Sequence, residues 1–176
     1  MKNSPKIVVI TGAESTGKST LAESLGTHFN VPVIPEFART YVEQLHRPYN
    51  YNDVEIIAKK QVELLNTATK LEHPVIFVDT WLIITKVWFE VVFKRIPDWL
   101  LTEIQSAQID LFLVCDNDLP WIPDSVRENG GEKRKLLQIN YIENIKKYNF
   151  AFQVVNGENN LRFENALQLI KLLLKK

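Results

Sequence analysis

Apolar residues follow two rhythms along this chain. Five runs are short and continuous: KIVVIT at 6–11, VPVI at 31–34, PVIFV at 74–78, IDLFLV at 109–114 and AFQVV at 151–155. Continuous runs of this length, rich in β-branched residues and bounded by Gly, Pro or polar residues, predict strands buried on both faces. Between them apolar residues recur at helical spacing, as Leu21, Leu25 and Phe29 do, which predicts a helix over 18–29. Pro35 can open a helix running to about 45, since its missing N–H is not needed there. After a loop at 47–53, Asn52 or Asp53 can cap a long helix ending near 71. Further helices are predicted over 81–95, from Pro97 (which breaks the previous one) to about 107, over 132–147 and over 161–174, with a polar, Pro-rich and Gly-containing segment at 116–131.

Strands that alternate with helices imply an α/β fold: a five-stranded parallel sheet with helices on both faces. Ligands of such sheets bind beyond the carboxyl ends of the strands, so side chains that directly follow strands are the candidates for chemistry.

The first strand runs into GAESTGKST, residues Gly12, Ala13, Glu14, Ser15, Thr16, Gly17, Lys18, Ser19 and Thr20. This fulfils G-x-x-x-x-G-K-[ST] in the context the pattern requires, with a strand before and a helix after. The glycines let backbone N–H groups turn inward around phosphate oxygens, and the following helix directs its positive end at the same anion. Lys18 is expected to reach the β- and γ-phosphates of ATP, and Ser19 to ligate Mg²⁺. The bland alternative is a tight Gly-containing turn without a ligand.

Asp79 ends the third strand. Its carboxylate can hold Mg²⁺ through water or take the proton of an acceptor hydroxyl; it could also merely cap the next helix. Glu36 and Arg39 follow the second strand at i, i+3, where they could grip a polar substrate, or form a first-turn Glu and an Arg39–Glu43 surface pair. After the fourth strand come Asp116, Asp118 and Asp124 around Trp121, an indole able to stack on a ligand or to cover the edge of the core. Arg127 and Arg134 flank Gly130-Gly131. An Arg-containing segment here reads either as a lid over transferring phosphate or as a solvated loop.

Composition narrows the class. Hydrophobic residues at 45% and charged ones at 24% suit one globular domain over residues 1–176. Lys plus Arg and Asp plus Glu are 21 each, a balance that argues against nucleic acid as the main partner. The lone Cys115 excludes an internal disulfide and fits a reducing cytoplasm, as a small apolar residue at a strand end. The start MKNSPK does not resemble a signal peptide, and the apolar stretch 81–93 is too short to span a bilayer. His28, His46 and His73 lack metal-ligand spacing.

GAESTGKST, PEFARTYV, FVDT before an apolar helix, and CDNDLPWIPDSVRE, in this order, resemble the ribosylnicotinamide kinase domain of NadR and its stand-alone AAA-type P-loop ATPase relatives. The E-x-x-R and D-L-P-W-x-x-D-x-x-R-E segments are the specific ones. The resemblance covers nearly the whole chain and implies transfer of the ATP γ-phosphate to the ribose 5′-hydroxyl of nicotinamide riboside. It implies that Gly12 to Thr20 bind ATP and Mg²⁺, with Ser19 and Asp79 on the metal. Glu36, Arg39, Asp79, Trp121 and Asp124 would bind the nucleoside, Asp79 also serving as base, and Arg127 and Arg134 would serve the lid. The adenylyltransferase and DNA-binding domains of full-length NadR have no room here, so the kinase alone is expected. One departure stands out. The family commonly reads D-T-D after the third strand, and this chain reads Asp79-Thr80-Trp81, an indole that could offer a stacking face. A kinase for another nucleoside or small alcohol, and an ATP-binding regulatory module with slow hydrolysis, remain alternatives.

Overall fold

The computed structural model describes residues 4–123 and 127–175. Its elements run β1 (Lys6–Thr11), α1 (Lys18–Phe29), β2 (Val33–Ile34), α2 (Phe37–Glu43), α3 (Tyr51–Ala68), β3 (Val75–Asp79), α4 (Leu82–Trp88), α5 (Asp98–Ser106), β4 (Leu111–Cys115), α6 (Gly131–Lys147), β5 (Phe152–Val155) and α7 (Asn160–Leu174). The five strands form one parallel sheet in the order β2-β3-β1-β4-β5. This is the α/β P-loop arrangement expected from the alternation of apolar runs.

The period-two geometry of a strand splits the sheet residues between two cores. Ile7 and Val9 of β1, with Phe112 and Val114 of β4, face α3, α4, α5 and α6. Val8, Ile10, Leu111 and Leu113 face α1 and α7 on the other side. Both faces of the central strands are therefore covered, which is why the interior positions of β1, β3 and β4 are apolar. The register sets Ile10 beside Asp79, so β1 and β3 end at the same level and deliver the glycine-rich loop and Asp79 to one place.

Several boundaries differ from expectation for local reasons. Pro35 stays outside α2, which starts at Phe37 with Glu36 at the N-cap position. The cap of α3 is Asn50 rather than Asn52 or Asp53. The Asn50 side chain accepts from the N–H groups of Asn52 and Asp53, and Asp53 accepts from the Asn50 N–H at 2.7 Å, closing a capping box. Asp53 also receives the Arg47 guanidinium at 2.6 and 2.8 Å and the Tyr41 hydroxyl at 3.1 Å. The helix over 81–95 is α-helical only to Trp88 and continues as a π-helical turn, Phe89–Phe93. No helix among the described residues is long and apolar enough to cross a membrane.

Trp81 is a core residue. Thr80 has left-handed backbone (φ 66°) and donates its N–H to Ile10 O, turning the chain between Asp79 and Trp81. The indole then lies 3% exposed against Phe112 and Phe150, with ring centroids 6.4 and 6.3 Å away. The stacking face expected from the departure at this position is used up by the protein's own aromatic rings.

Candidate active site

The loop between β1 and α1 is built as an anion cradle. Gly12 has φ +138°, and a Cβ there would stand 2.7 Å from Cys115 O, so only glycine allows β1 and β4 to approach here. Gly17, at φ +74°, precedes α1, whose first turn has no side-chain cap and no acidic residue. Its orphan N–H groups and positive dipole end are thus open to an anion. The carbonyls of the loop are held outward. Ser15 O and Glu14 O accept from Arg134 at 3.0 and 2.8 Å, and Thr16 O accepts from Arg162 at 2.6 Å. Ala13 O accepts from Lys18 Nζ at 3.0 Å. With these carbonyls held by other donors, the first-turn N–H groups of α1 are left for an anion, as in a phosphate nest. These features fit the triphosphate that the motif implies.

The divalent cation also has a fitting place. Ser19 lies close enough to the Asp79 carboxyl to lower its pKa, so the two residues expected on a metal are neighbours. A hydroxyl and one carboxylate beside a phosphate cradle suit Mg²⁺, which takes few protein ligands and completes its shell with phosphate oxygens and water. Among the described residues no group of three or more His, Cys, Asp or Glu is arranged to hold a metal by itself.

Asp79 and Glu36 form an acidic pair at the mouths of neighbouring strands. Burial raises the Asp79 pKa above its ordinary value, against the lowering effects of the neighbouring Ser19 and the Lys18 charge. Burial likewise raises Glu36; Lys18 opposes the shift and Asp79 adds to it. The two carboxylates and Lys18 therefore share one electrostatic site. Their surroundings differ: Glu36 lines the cavity, whereas Asp79 lies 4% exposed beneath Ser19 and Thr80.

That cavity has a volume of about 330 Å³. The phosphate loop forms one wall. Another is apolar and comes from α4 and the π-helical turn, with Trp88 and Val91, and from Tyr49, whose ring meets Trp88 edge-on at 4.8 Å. Arg39 and Arg127 line it too. Arg39 also pairs with Glu43 at 3.2 Å, so the cavity position and the surface pair coexist. Arg127 donates to Ile122 O at 2.7 Å, at the cavity rim.

Three expectations are corrected or left outside the structure. Arg134 is no lid residue: it sits in the first turn of α6, 6% exposed, and its guanidinium donates to three carbonyls, Glu14 O, Ser15 O and Leu119 O. Trp121 does not line the cavity. Its indole lies against Gly130, and Nε1 donates to Glu14 at 3.2 Å. Asp124 falls outside the described residues. Of the other carboxylates after β4, Asp118 is engaged by Arg162 and by the Gly157 N–H.

Pattern reading passed over Gln138 and Arg162. Gln138 accepts from Ala13 N–H and donates to Cys115 O, both at 2.8 Å, bridging the loop to β4. The signal lies in α6: Arg134, Gln138, Tyr141 and Ile145 share its buried stripe, and an arginine and a glutamine on such a stripe require buried polar partners. Glu14 is a further junction. It accepts from Trp121 Nε1, from the N–H groups of Glu128 and Asn129, and from Asn129 Nδ2, tying the segment after β4 to the phosphate loop.

Comparison with known proteins agrees with this geometry. The AAA domain family model matches residues 7–162. The chain belongs to that family. It is 29% identical over 172 residues to the trifunctional NAD biosynthesis/regulator protein NadR of Salmonella typhimurium LT2, and 28% identical over 174 residues to that of Escherichia coli K12. Each alignment covers 94% of this chain and 42% of the relative. A crystal structure of a NadR protein in complex with NR superposes with a TM-score of 0.82 at 19% identity, covering 99% of this chain and 53% of that one. This AAA-domain chain thus spans about half the length of the NadR proteins it matches. Deoxyadenosine kinase from M. mycoides with products bound shares the fold over nearly its full length, with a TM-score of 0.64 at 18% identity, covering 94% of this chain and 98% of that one.

Proposed function

We propose that this chain is an ATP- and Mg²⁺-dependent kinase for the ribose 5′-hydroxyl of nicotinamide riboside, and that residues 1–176 act as a single P-loop kinase domain. One observation carries the reading: an aromatic chamber opens directly off the phosphate cradle, with a proton-accepting carboxylate, Glu36, on its wall. The likeness to NadR over 94% of the chain supports the choice of nucleoside, and NadR has been crystallised with NR, which we read as nicotinamide riboside. A NadR structure with NAD and AMP-PNP supports ATP as the donor.

In this reading bound ATP supplies the phosphoryl group, and the chain's own residues position and neutralise. Backbone N–H groups of the Gly12 to Thr20 loop, apart from that of Ala13, which Gln138 takes, hold the phosphates, and Lys18 reaches across them. Ser19 and Asp79 hold Mg²⁺. Since Asp79 lies buried beside Thr80 and off the cavity wall, whereas Glu36 lines the cavity, we assign the proton of the acceptor hydroxyl to Glu36 rather than to Asp79. Arg39 and Arg127 border the cavity where charge is transferred. The Tyr49 and Trp88 rings suit a flat cationic pyridinium, which aromatic faces attract.

The test is release of ADP from ATP and Mg²⁺ with a panel of nucleosides. Strong stimulation by nicotinamide riboside supports the proposal. Stimulation by another nucleoside alone keeps a kinase and moves the substrate; slow release indifferent to every nucleoside overturns the kinase reading.

A further inference from the structure

The helical wall of the chamber carries a buried polar pair. Gln61 of α3 and Thr85 of α4 are 4% and 2% exposed, and both line the cavity beside Ile84 and Trp88. Thr85 Oγ1 donates to Gln61 Oε1 at 2.9 Å. In this arrangement Gln61 Nε2, with its two hydrogens, is left as the remaining donor. Nε2 is shielded from solvent and has no hydrogen-bond partner among the described residues. A buried amide donor left unmade is costly, and buried polar groups are otherwise nearly always paired. An amide retained on an otherwise apolar wall of a ligand chamber is explained if the ligand completes it.

We propose that Gln61 is the specificity-determining residue of the base subsite. Its Nε2 donates to an exocyclic carbonyl oxygen on a planar heterocycle held beside the Tyr49–Trp88 pair. Thr85 is the positioning residue that holds the amide in this sense. The substrate class is therefore a riboside whose ring carries a carbonyl oxygen. Resting on the function proposed above, that oxygen belongs to the carboxamide of nicotinamide riboside. A pyridinium riboside without the carboxamide would fill the same chamber and leave the amide unpaired.

The experiment compares kcat/KM for nicotinamide riboside and for the pyridinium riboside lacking the carboxamide, in the wild type, in Gln61→Met and in Thr85→Val. The wild type is expected to prefer nicotinamide riboside by ~10- to 100-fold, the cost of leaving one buried amide donor unpaired. Gln61→Met, close in volume, is expected to lose that preference. Its loss falls more on nicotinamide riboside than on the carboxamide-free riboside, and mainly in KM, so that the ratio of the two kcat/KM values collapses. Thr85→Val should fall between the two. Equal losses on both ribosides would show a merely structural role and overturn the inference. So would a wild type that does not discriminate, an outcome that needs no variant to fold. Turnover of nicotinamide riboside without discrimination sinks this inference alone, whereas ADP release indifferent to all ribosides sinks the proposed function as well.

Discussion

Replacing Arg134 by methionine separates two ways an arginine can serve a phosphate site. The side chain is 6% exposed and donates to three main-chain carbonyls at 2.8, 2.8 and 3.0 Å, two of them in the phosphate loop. Methionine keeps much of the volume and removes all three bonds, leaving carbonyls that were satisfied by a charged donor. Hydrogen bonds to charged groups contribute ~1.5–3 kcal/mol each, but bonds of one guanidinium are not independent and water can reach part of the loop, so the expected loss is about 4 kcal/mol. For a domain of this size each kcal/mol lowers Tm by about 2–4 °C, giving roughly 8–16 °C. Freed of its outer anchors, the loop should also bind ATP more weakly, because its N–H groups are no longer held inward. Differential scanning calorimetry and ATP titration on the same preparation give both numbers. Arg134→Lys should recover little, since one ammonium cannot reach three carbonyls in a fixed fork. A Tm within about 2 °C of wild type together with a kcat loss near 10³-fold, the scale of a lost transition-state donor, would refute the reasoning and return Arg134 to the phosphate.

Four more outcomes follow, two at the site and two in the fold that supports it. Glu36→Gln should lower kcat by a factor on the order of 10² or more and abolish the acidic limb of the pH–rate profile; in the wild type that limb lies above the ordinary glutamate range, because burial raises this carboxyl. Asp79→Asn should demand more Mg²⁺ for half-maximal rate yet leave Tm equal or higher near neutral pH. A carboxyl whose folded pKa is raised makes the fold lose stability as pH climbs from its unfolded to its folded pKa, and the amide escapes that cost. Trp81→Phe should cost ~1 kcal/mol or less by thermal unfolding, since the indole N–H has no partner among the described residues, whereas Trp81→Asp should cost ~3 kcal/mol or more by emptying the core and burying a carboxylate. Arg47→Met should move acid unfolding to higher pH: Asp53 is held well below the usual carboxylate range by Arg47, so its contribution is present at neutral pH and is lost as pH falls through its folded pKa.

The layers of the fold and the head of the site were legible in the residues alone. Continuous apolar runs can be buried only on two faces, so they specified a parallel sheet with helices on each side. The phosphate loop was legible because its chemistry is local: glycines, a lysine and a hydroxyl act through the backbone of one turn. Asp79 and Glu36 were legible as candidates because strand ends are where such sheets gather side chains. Contacts between partners far apart in the chain were settled only by packing. Arg134 and Trp121 look like ligand-facing residues in a polar segment, but contacts more than a hundred residues away consume the guanidinium and the indole N–H in shaping Glu14 and its loop. Trp81 follows a motif aspartate in sequence, yet the left-handed turn at Thr80 sends it into the core. Gln61 and Thr85 carried no signal at all, for their meaning lies in two helices, 24 residues apart, closing one wall of a chamber. A side chain's type is written in the sequence; which donor remains unspent is settled only when every long-range partner has been placed.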